Sequence, residues 1–297
     1  MRLPLSKILA IPGVLGLGIS LYITFFVSEE YALYMVPFII YLVAIYFYQP
    51  AIDWKWYQKY PPDVEEPLRK LFEHRIPYYQ RLSDKNKQKF RTRVALYIEA
   101  NDFRPQVFEK IPEDVKGIVA ANIVQLTFGQ KDYLLNMFER IVIYPGNFPT
   151  PQHIDRFHAS EIYAEDGVLL FAMDHLMPGT LHADKYFNIG LYEYAKVFRL
   201  SRPELSYPEL PEDLWTDFEK ISRFPRKKVE EFVGLENLDV WAVSVVFFFS
   251  FPEKFKSQLT ELYQAHSNMF NQHPGQLRDP KIVDYTEINS TSKAPSY

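Results

Sequence analysis

The sequence predicts an α+β protein in two parts, a pair of apolar helices able to span a membrane followed by a mainly helical soluble domain with a small sheet. Three observations predict it. The first 50 residues carry only Arg2, Lys7, Glu29 and Glu30, although the 297-residue chain has 33 Lys and Arg against 37 Asp and Glu. Beyond about residue 65 apolar side chains recur with a helical period, and two runs, 140–144 and 168–172, break that period with the β-branched and apolar residues of short strands.

Residues 8–27 form a run of 20 without a charge, which at ~1.5 Å per residue covers the ~30 Å of a bilayer's hydrocarbon core. Residues 31–48 form a second run of 18, with Tyr31, Tyr34, Tyr46, Phe47 and Tyr48 near its ends, where amphipathic rings favour the lipid–water interface. The two read as a transmembrane hairpin occupying 1–50. Pro12 and Pro37 do not exclude helices in lipid, because the backbone there has no water to turn to. A cleaved secretory signal would also begin with Arg2 and Lys7, but this apolar run is too long, lacks a small-x-small cleavage site and is followed at once by another. Lys and Arg flank the pair on its outer sides (Arg2, Lys7, Lys55, Lys59) and are missing from the loop at 28–30, which predicts an inner, plasma-membrane protein with both termini cytoplasmic.

Trp54, Trp56, Tyr57 and Tyr60 then suit a juxtamembrane linker over 51–64, closed by Pro61 and Pro62. The soluble domain is expected over 65–273. Ser83 caps a helix whose apolar stripe is Phe90, Val94, Tyr97 and Ile98, and its basic face (Lys85, Lys87, Lys89, Arg91, Arg93) is expected in solvent. A second helix starts after Pro112, with Glu113 and Asp114 against its dipole, and runs towards Gly129.

The strands at 140–144 and 168–172 are separated by a stretch expected to be loop, with His153 and His158 in it. On a helix an i,i+5 spacing would set those rings about 140° apart, which argues against a shared metal. Helices are expected again over 188–198, 211–221, 238–249 and 252–270. The run 240–249, almost wholly apolar, is read as a central buried helix, although its three consecutive phenylalanines also suit a strand. After residue 273 the chain turns polar and loses its period, so 274–297 is expected to be a disordered tail.

Composition excludes several functions. A net charge of −4 without a basic cluster removes the footprint of a nucleic-acid binder. The absence of cysteine excludes disulfides, Cys-ligated zinc, iron–sulfur clusters and thiol catalysis. Eleven glycines include no phosphate-binding loop, and no serine lies in a nucleophile-elbow context.

The order of six blocks resembles the Mlc titration factor A family of bacterial zinc peptidases: IVQLTFG (123–129), IVIYPGNF (141–148), DGVLLFAMD (166–174), NIGLYEYAK (188–196), WAVSVVFFFSFPEKF (241–255) and MFNQHP (269–274). The resemblance covers roughly 68–273 and implies a zincin-like metallopeptidase domain. Active members of that family hold zinc with a His-Glu-x-x-His helix and a later acidic residue, the glutamate acting as general base on the zinc-bound water. In this sequence Tyr192 stands at the first histidine, Glu193 at the base, Lys196 at the second histidine and Val246 at the acidic ligand. The resemblance therefore implies a degenerate metal site, with no zinc expected and no peptide cleavage. It leaves Tyr192, Glu193 and Lys196 as a possible binding cleft and Lys196 as a cation in place of the metal, paired with Glu193.

Three functions remain open on sequence: a membrane-anchored pseudopeptidase that binds a protein or peptide, an active peptidase with non-standard ligands drawn from Asp174, His175, His182 and Glu193, or a structural membrane-assembly protein.

Overall fold

The structure is a computed structural model that describes residues 4–276, so the tail predicted for 274–297 lies outside it from residue 277 onward. The chain divides into two compact units at Asp63 and Val64.

In the first unit, α1 (Leu5–Phe26) and α2 (Met35–Lys59) are joined by a 3₁₀ turn, Glu29–Tyr34. Two helical stretches, Leu5–Phe26 and Glu29–Lys59, are long and apolar enough to cross a membrane. Pro12 in α1 and Pro50 in α2 sit inside continuous helix. Glycine lets the two approach: a Cβ on Gly16 would lie 2.1 Å from the Phe38 ring, a contact that only a missing side chain permits. At the start of α1, the Asp53 carboxylate accepts from the Ser6 backbone N–H (2.8 Å) and hydroxyl (2.7 Å). A carboxylate from α2 thus satisfies a donor that the first turn of α1 leaves unpaired, at the positive end of its dipole. The stretch expected as linker from residue 51 is helical as far as Lys59, because Trp54 to Lys59 contain nothing that stops a helix before Pro61.

The second unit opens with α3 (Glu66–Arg75), α4 (Pro77–Gln80) and α5 (Asp84–Ala100). The Ser83 hydroxyl accepts from the Asn86 N–H and caps α5, which buries Phe90, Val94 and Tyr97. Its basic face is not all in solvent. Arg93 is buried and donates to the carbonyls of Thr127 (3.1 Å), Phe128 (3.0 Å) and Gln130 (2.6 Å), at and beyond the end of α6 (Glu113–Leu126). It supplies the cation that a helix C-terminus attracts.

Strand β1 (Asp102–Pro105) precedes α6 and pairs in parallel with β2 (Arg140–Tyr144). The stretch expected to be loop is three strands, β3 (Phe148–Thr150), β4 (His153–His158) and β5 (Ser160–Tyr163). Four consecutive exposed side chains in β4 erase the alternation by which a strand is recognised. β3 and β4 form a separate antiparallel pair. β6 (Val168–Ala172) completes a mixed sheet of order β1-β2-β6-β5, parallel at β2–β6 and antiparallel at β6–β5.

The chain then continues through α7 (Met173–Leu181), α8 (Ile189–Ser201), a 3₁₀ turn (Glu212–Leu214), α9 (Trp215–Ser222), α10 (Arg226–Val233), α11 (Val240–Ser250), α12 (Pro252–Gln258) and α13 (Thr260–Phe270). The helix expected over 252–270 breaks at Leu259 into α12 and α13. α11 is helical, with every side chain from Val240 to Phe249 buried. Burying each large apolar side chain contributes ~1.5–3 kcal/mol, which outweighs the at most ~0.7 kcal/mol by which Val or Phe disfavours helix. Asp239 starts it by accepting from the Ala242 N–H (3.1 Å). Pro274, expected in the tail, is buried, and its carbonyl accepts from Arg81 (2.7 Å).

Candidate functional site

Helix α8 lies against β5, β6, α6, α7 and α11. Its start is fixed by a buried amide chain. The Asn188 side chain accepts from the Leu191 N–H (3.0 Å) and donates to Asn122 (2.9 Å), which donates in turn to the Thr180 hydroxyl (2.8 Å) and the Ile118 carbonyl (2.9 Å). A Cβ on Gly190 would fall 2.5 Å from the Asn122 amide, so glycine is what admits α8 this close to α6.

One turn into α8, Tyr192, Glu193 and Lys196 come together around the helix. Tyr192 is buried and its hydroxyl accepts from the Asp239 backbone N–H (3.1 Å), at the start of α11. Burial pushes its phenol up to about 12, against the opposing pull of the Lys196 charge. Glu193 is 1% exposed. One oxygen accepts from the Ser160 hydroxyl of β5 (2.8 Å), and the other lies 2.6 Å from Lys196 Nζ. The Lys196 ammonium also stands 4.7 Å from the centre of the Tyr192 ring, a cation–π placement. Burial pulls the Lys196 pKa down, but Glu193, Tyr192 and Asp239 more than offset this and hold it above the ordinary lysine value. Asp239 itself is paired with Arg199.

These groups do not fit a zinc ion. A phenol near 12 stays protonated at neutral pH, an ammonium offers no lone pair and repels a dication, and both carboxylate oxygens of Glu193 are engaged. Val246, 1% exposed within α11, has no donor atom. A general base also needs a proton within reach, and the groups that face Glu193 are a hydroxyl that donates to it and an ammonium.

The other ligands considered from sequence are placed elsewhere. His175 Nδ1 lies 2.7 Å from Asp174 Oδ1, with its ring against Phe232. His182 ends α7, its backbone N–H donating to the Pro178 carbonyl. Among the described residues no group of three or more His, Asp or Glu side chains could hold a metal ion. Reading the sequence missed Ser160, Asp239 and Arg199. Ser160 lay in the supposed loop, Asp239 reaches the site because α11 packs on α8, and Arg199, itself on α8, joins as the partner of Asp239.

The sequence model of the glucose-regulated metallo-peptidase M90 family matches residues 53–198, about half of the chain. The match includes Tyr192, Glu193 and Lys196 and stops short of Val246. No curated protein matches the chain.

Proposed function

With residues 53–198 belonging to the glucose-regulated M90 metallopeptidase family, we propose that this chain is a membrane-anchored member that has exchanged its metal for a lysine. It binds a protein or peptide partner rather than cleaving one. The observation that carries this is the 2.6 Å contact of Lys196 Nζ with Glu193 Oε2, inside the α8 turn where the family places its zinc ligands and base.

The Lys196 ammonium supplies the positive charge that the carboxylate needs when no metal is present, because an unpaired buried carboxylate costs several kcal/mol. A glutamate so paired is not free to take a proton from water, and no group at the site lowers the pKa of a water towards ~7 as zinc does. Loss of chemistry leaves the folded domain, and a domain tethered to the membrane acts by holding something there.

In this reading α1 and α2 are a transmembrane hairpin that places the second unit on the cytoplasmic face of a bacterial inner membrane. Its support is the length and low charge of the two helices and the Lys and Arg residues outside them. The mapping is tested by the variant Tyr192→His/Lys196→His/Val246→Glu. Chelator-sensitive peptidase activity gained by the variant supports the mapping, and a variant that folds and stays inactive with zinc supplied counts against it.

A further inference from the structure

Charge is shared unevenly within the second unit. Residues 66–99, which hold α3, α4 and α5, carry nine Lys and Arg against four Asp and Glu, whereas residues 100–276 carry 17 against 25. Most of that basic excess lies on α5. From residue 84 to 98 it has one acid, Asp84, and five bases, Lys85, Lys87, Lys89, Arg91 and Arg93. Arg93 is held by the carbonyls at the end of α6, and Arg91 donates to the Tyr79 hydroxyl (2.6 Å).

The three lysines have no such engagement. Among the described residues none of them pairs with a carboxylate, and two of them lie over rings instead, Lys87 Nζ 5.7 Å from the centre of Tyr79 and Lys89 Nζ 4.7 Å from that of Phe128. Within the chain their placement is unfavourable. Lys85 and Lys87 lie in the first turn of α5, where the helix dipole disfavours cations. Lys85 and Lys89 stand at i and i+4, where like charges repel. Burial, and then the charges of Arg93 and Lys85, pull the Lys89 ammonium down to about 8, and no acid opposes them. An anionic surface outside the chain relieves all three.

The lysines also share one accessible side. At about 100° per residue, exposed Gln88 is the middle of the solvent face of α5, with Lys85 and Lys89 to one side of it and Lys87 to the other. On the inner side, the rings of Phe72, Tyr79 and Phe90 pack α3, α4 and α5 together, with centroids 5.4 to 5.8 Å apart.

We propose that the face of α5 formed by Lys85, Lys87 and Lys89 docks on the anionic phospholipid headgroups of the membrane that holds α1 and α2. This rests on the reading of those two helices as a transmembrane hairpin. Only residues 60–65 separate α2 from α3, and even fully extended they reach at most ~25 Å, so a unit tethered this way stays within reach of the lipid surface. An acidic protein or a nucleic acid would meet the same charges, but the chain itself keeps neither at hand. Lysine ammoniums bind phosphate as point charges, without the fixed geometry that a bidentate guanidinium requires, which suits a fluid headgroup layer. Each lysine near an anionic leaflet strengthens docking about fivefold, within a range set by the Debye length.

The test uses the full chain, which has no native cysteine. A fluorophore on Gln88→Cys is read in vesicles of phosphatidylcholine with or without phosphatidylglycerol, each carrying a headgroup-attached quencher. Quenching is expected in the anionic vesicles only and is expected to fall at high salt. Replacing each lysine by glutamine should lower the docked-to-free ratio about fivefold, in variants that circular dichroism shows to be folded. A label on Glu231→Cys, exposed on α10, should stay bright throughout. A label on Val43→Cys in α2, read with an acyl-chain quencher, reports the hairpin separately. Val43→Cys quenched while Gln88→Cys stays bright in anionic vesicles overturns the docking and leaves the hairpin standing. Quenching of Gln88→Cys that ignores phosphatidylglycerol, or that Glu231→Cys shares, also overturns it. An unquenched Val43→Cys contradicts the hairpin and the docking with it.

Discussion

Lys196 Nζ and Glu193 Oε2 lie 2.6 Å apart, i and i+3 on one helix, with the carboxylate 1% exposed. An exposed pair at this spacing contributes a few tenths of a kcal/mol. Here the carboxylate has no access to water, so removing the cation strands a buried charge. Lys196→Met is expected to destabilise the domain by about 1–3 kcal/mol, less than a fully buried pair costs because the lysine side chain keeps some solvent contact. For a domain of this size that is roughly a 2–12 °C fall in Tm by calorimetry. Lys196→Met/Glu193→Gln should lose less than the sum of the single variants, since the second change removes the stranded charge. Additive losses would mean that the two side chains do not interact.

Buried His266 gives the domain a predictable acid sensitivity. Its Nε2 is 2.8 Å from Ser244 Oγ, and because that hydroxyl donates to the Trp241 carbonyl (2.7 Å), the ring carries its proton on Nε2. Nδ1 is left buried without a partner, and burial lowers the pKa to about 3. Below pH ~6.5 the unfolded chain takes up a proton that the folded chain refuses until about pH 3. Stability contributed by neutral His266 is therefore present above pH ~6.5 and is lost on acidification, with a limiting slope of about 1.4 kcal/mol per pH unit. Urea melts from pH 7 to 4.5 should show this slope, and His266→Phe should flatten it.

Arg93 closes the end of α6 through three carbonyls. Arg93→Met is expected to cost about 2–4 kcal/mol, since hydrogen bonds to a charged group are the stronger ones and the carbonyls are left buried. Arg93→Lys should recover little, because one ammonium cannot span the positions reached by both guanidinium nitrogens. Chemical denaturation of the two variants decides it.

The membrane orientation can be mapped without a background, since the chain has no native cysteine. In spheroplasts an impermeant maleimide should label Glu30→Cys from outside and should reach Lys55→Cys only after lysis. The opposite pattern would reverse the proposed topology.

Sequence carried the features that depend on a single residue's neighbours in the chain. The apolar runs at 8–27 and 31–48, the Ser83 cap, the strands at 140–144 and 168–172 and the buried helix at 240–249 were all legible, because length, caps and period act locally. β3 to β5 were not. β4 exposes most of its side chains and owes its strand conformation to pairing with β3, which no local pattern encodes. Arg93 was misread for a related reason, since its partners are carbonyls 34–37 residues away. At the site, the i,i+3 spacing of Glu193 and Lys196 was visible, but Ser160 and Asp239 were not, because they arrive from other elements.

The central claim is that an ammonium stands where the family holds a metal and that the domain has no peptidase chemistry. Its most direct test is hydrolysis of an unstructured protein substrate by the purified full chain with zinc supplied, beside Glu193→Gln. The account predicts no chelator-sensitive cleavage by either protein. Cleavage by the wild-type chain that a chelator abolishes and Glu193→Gln lacks would contradict it.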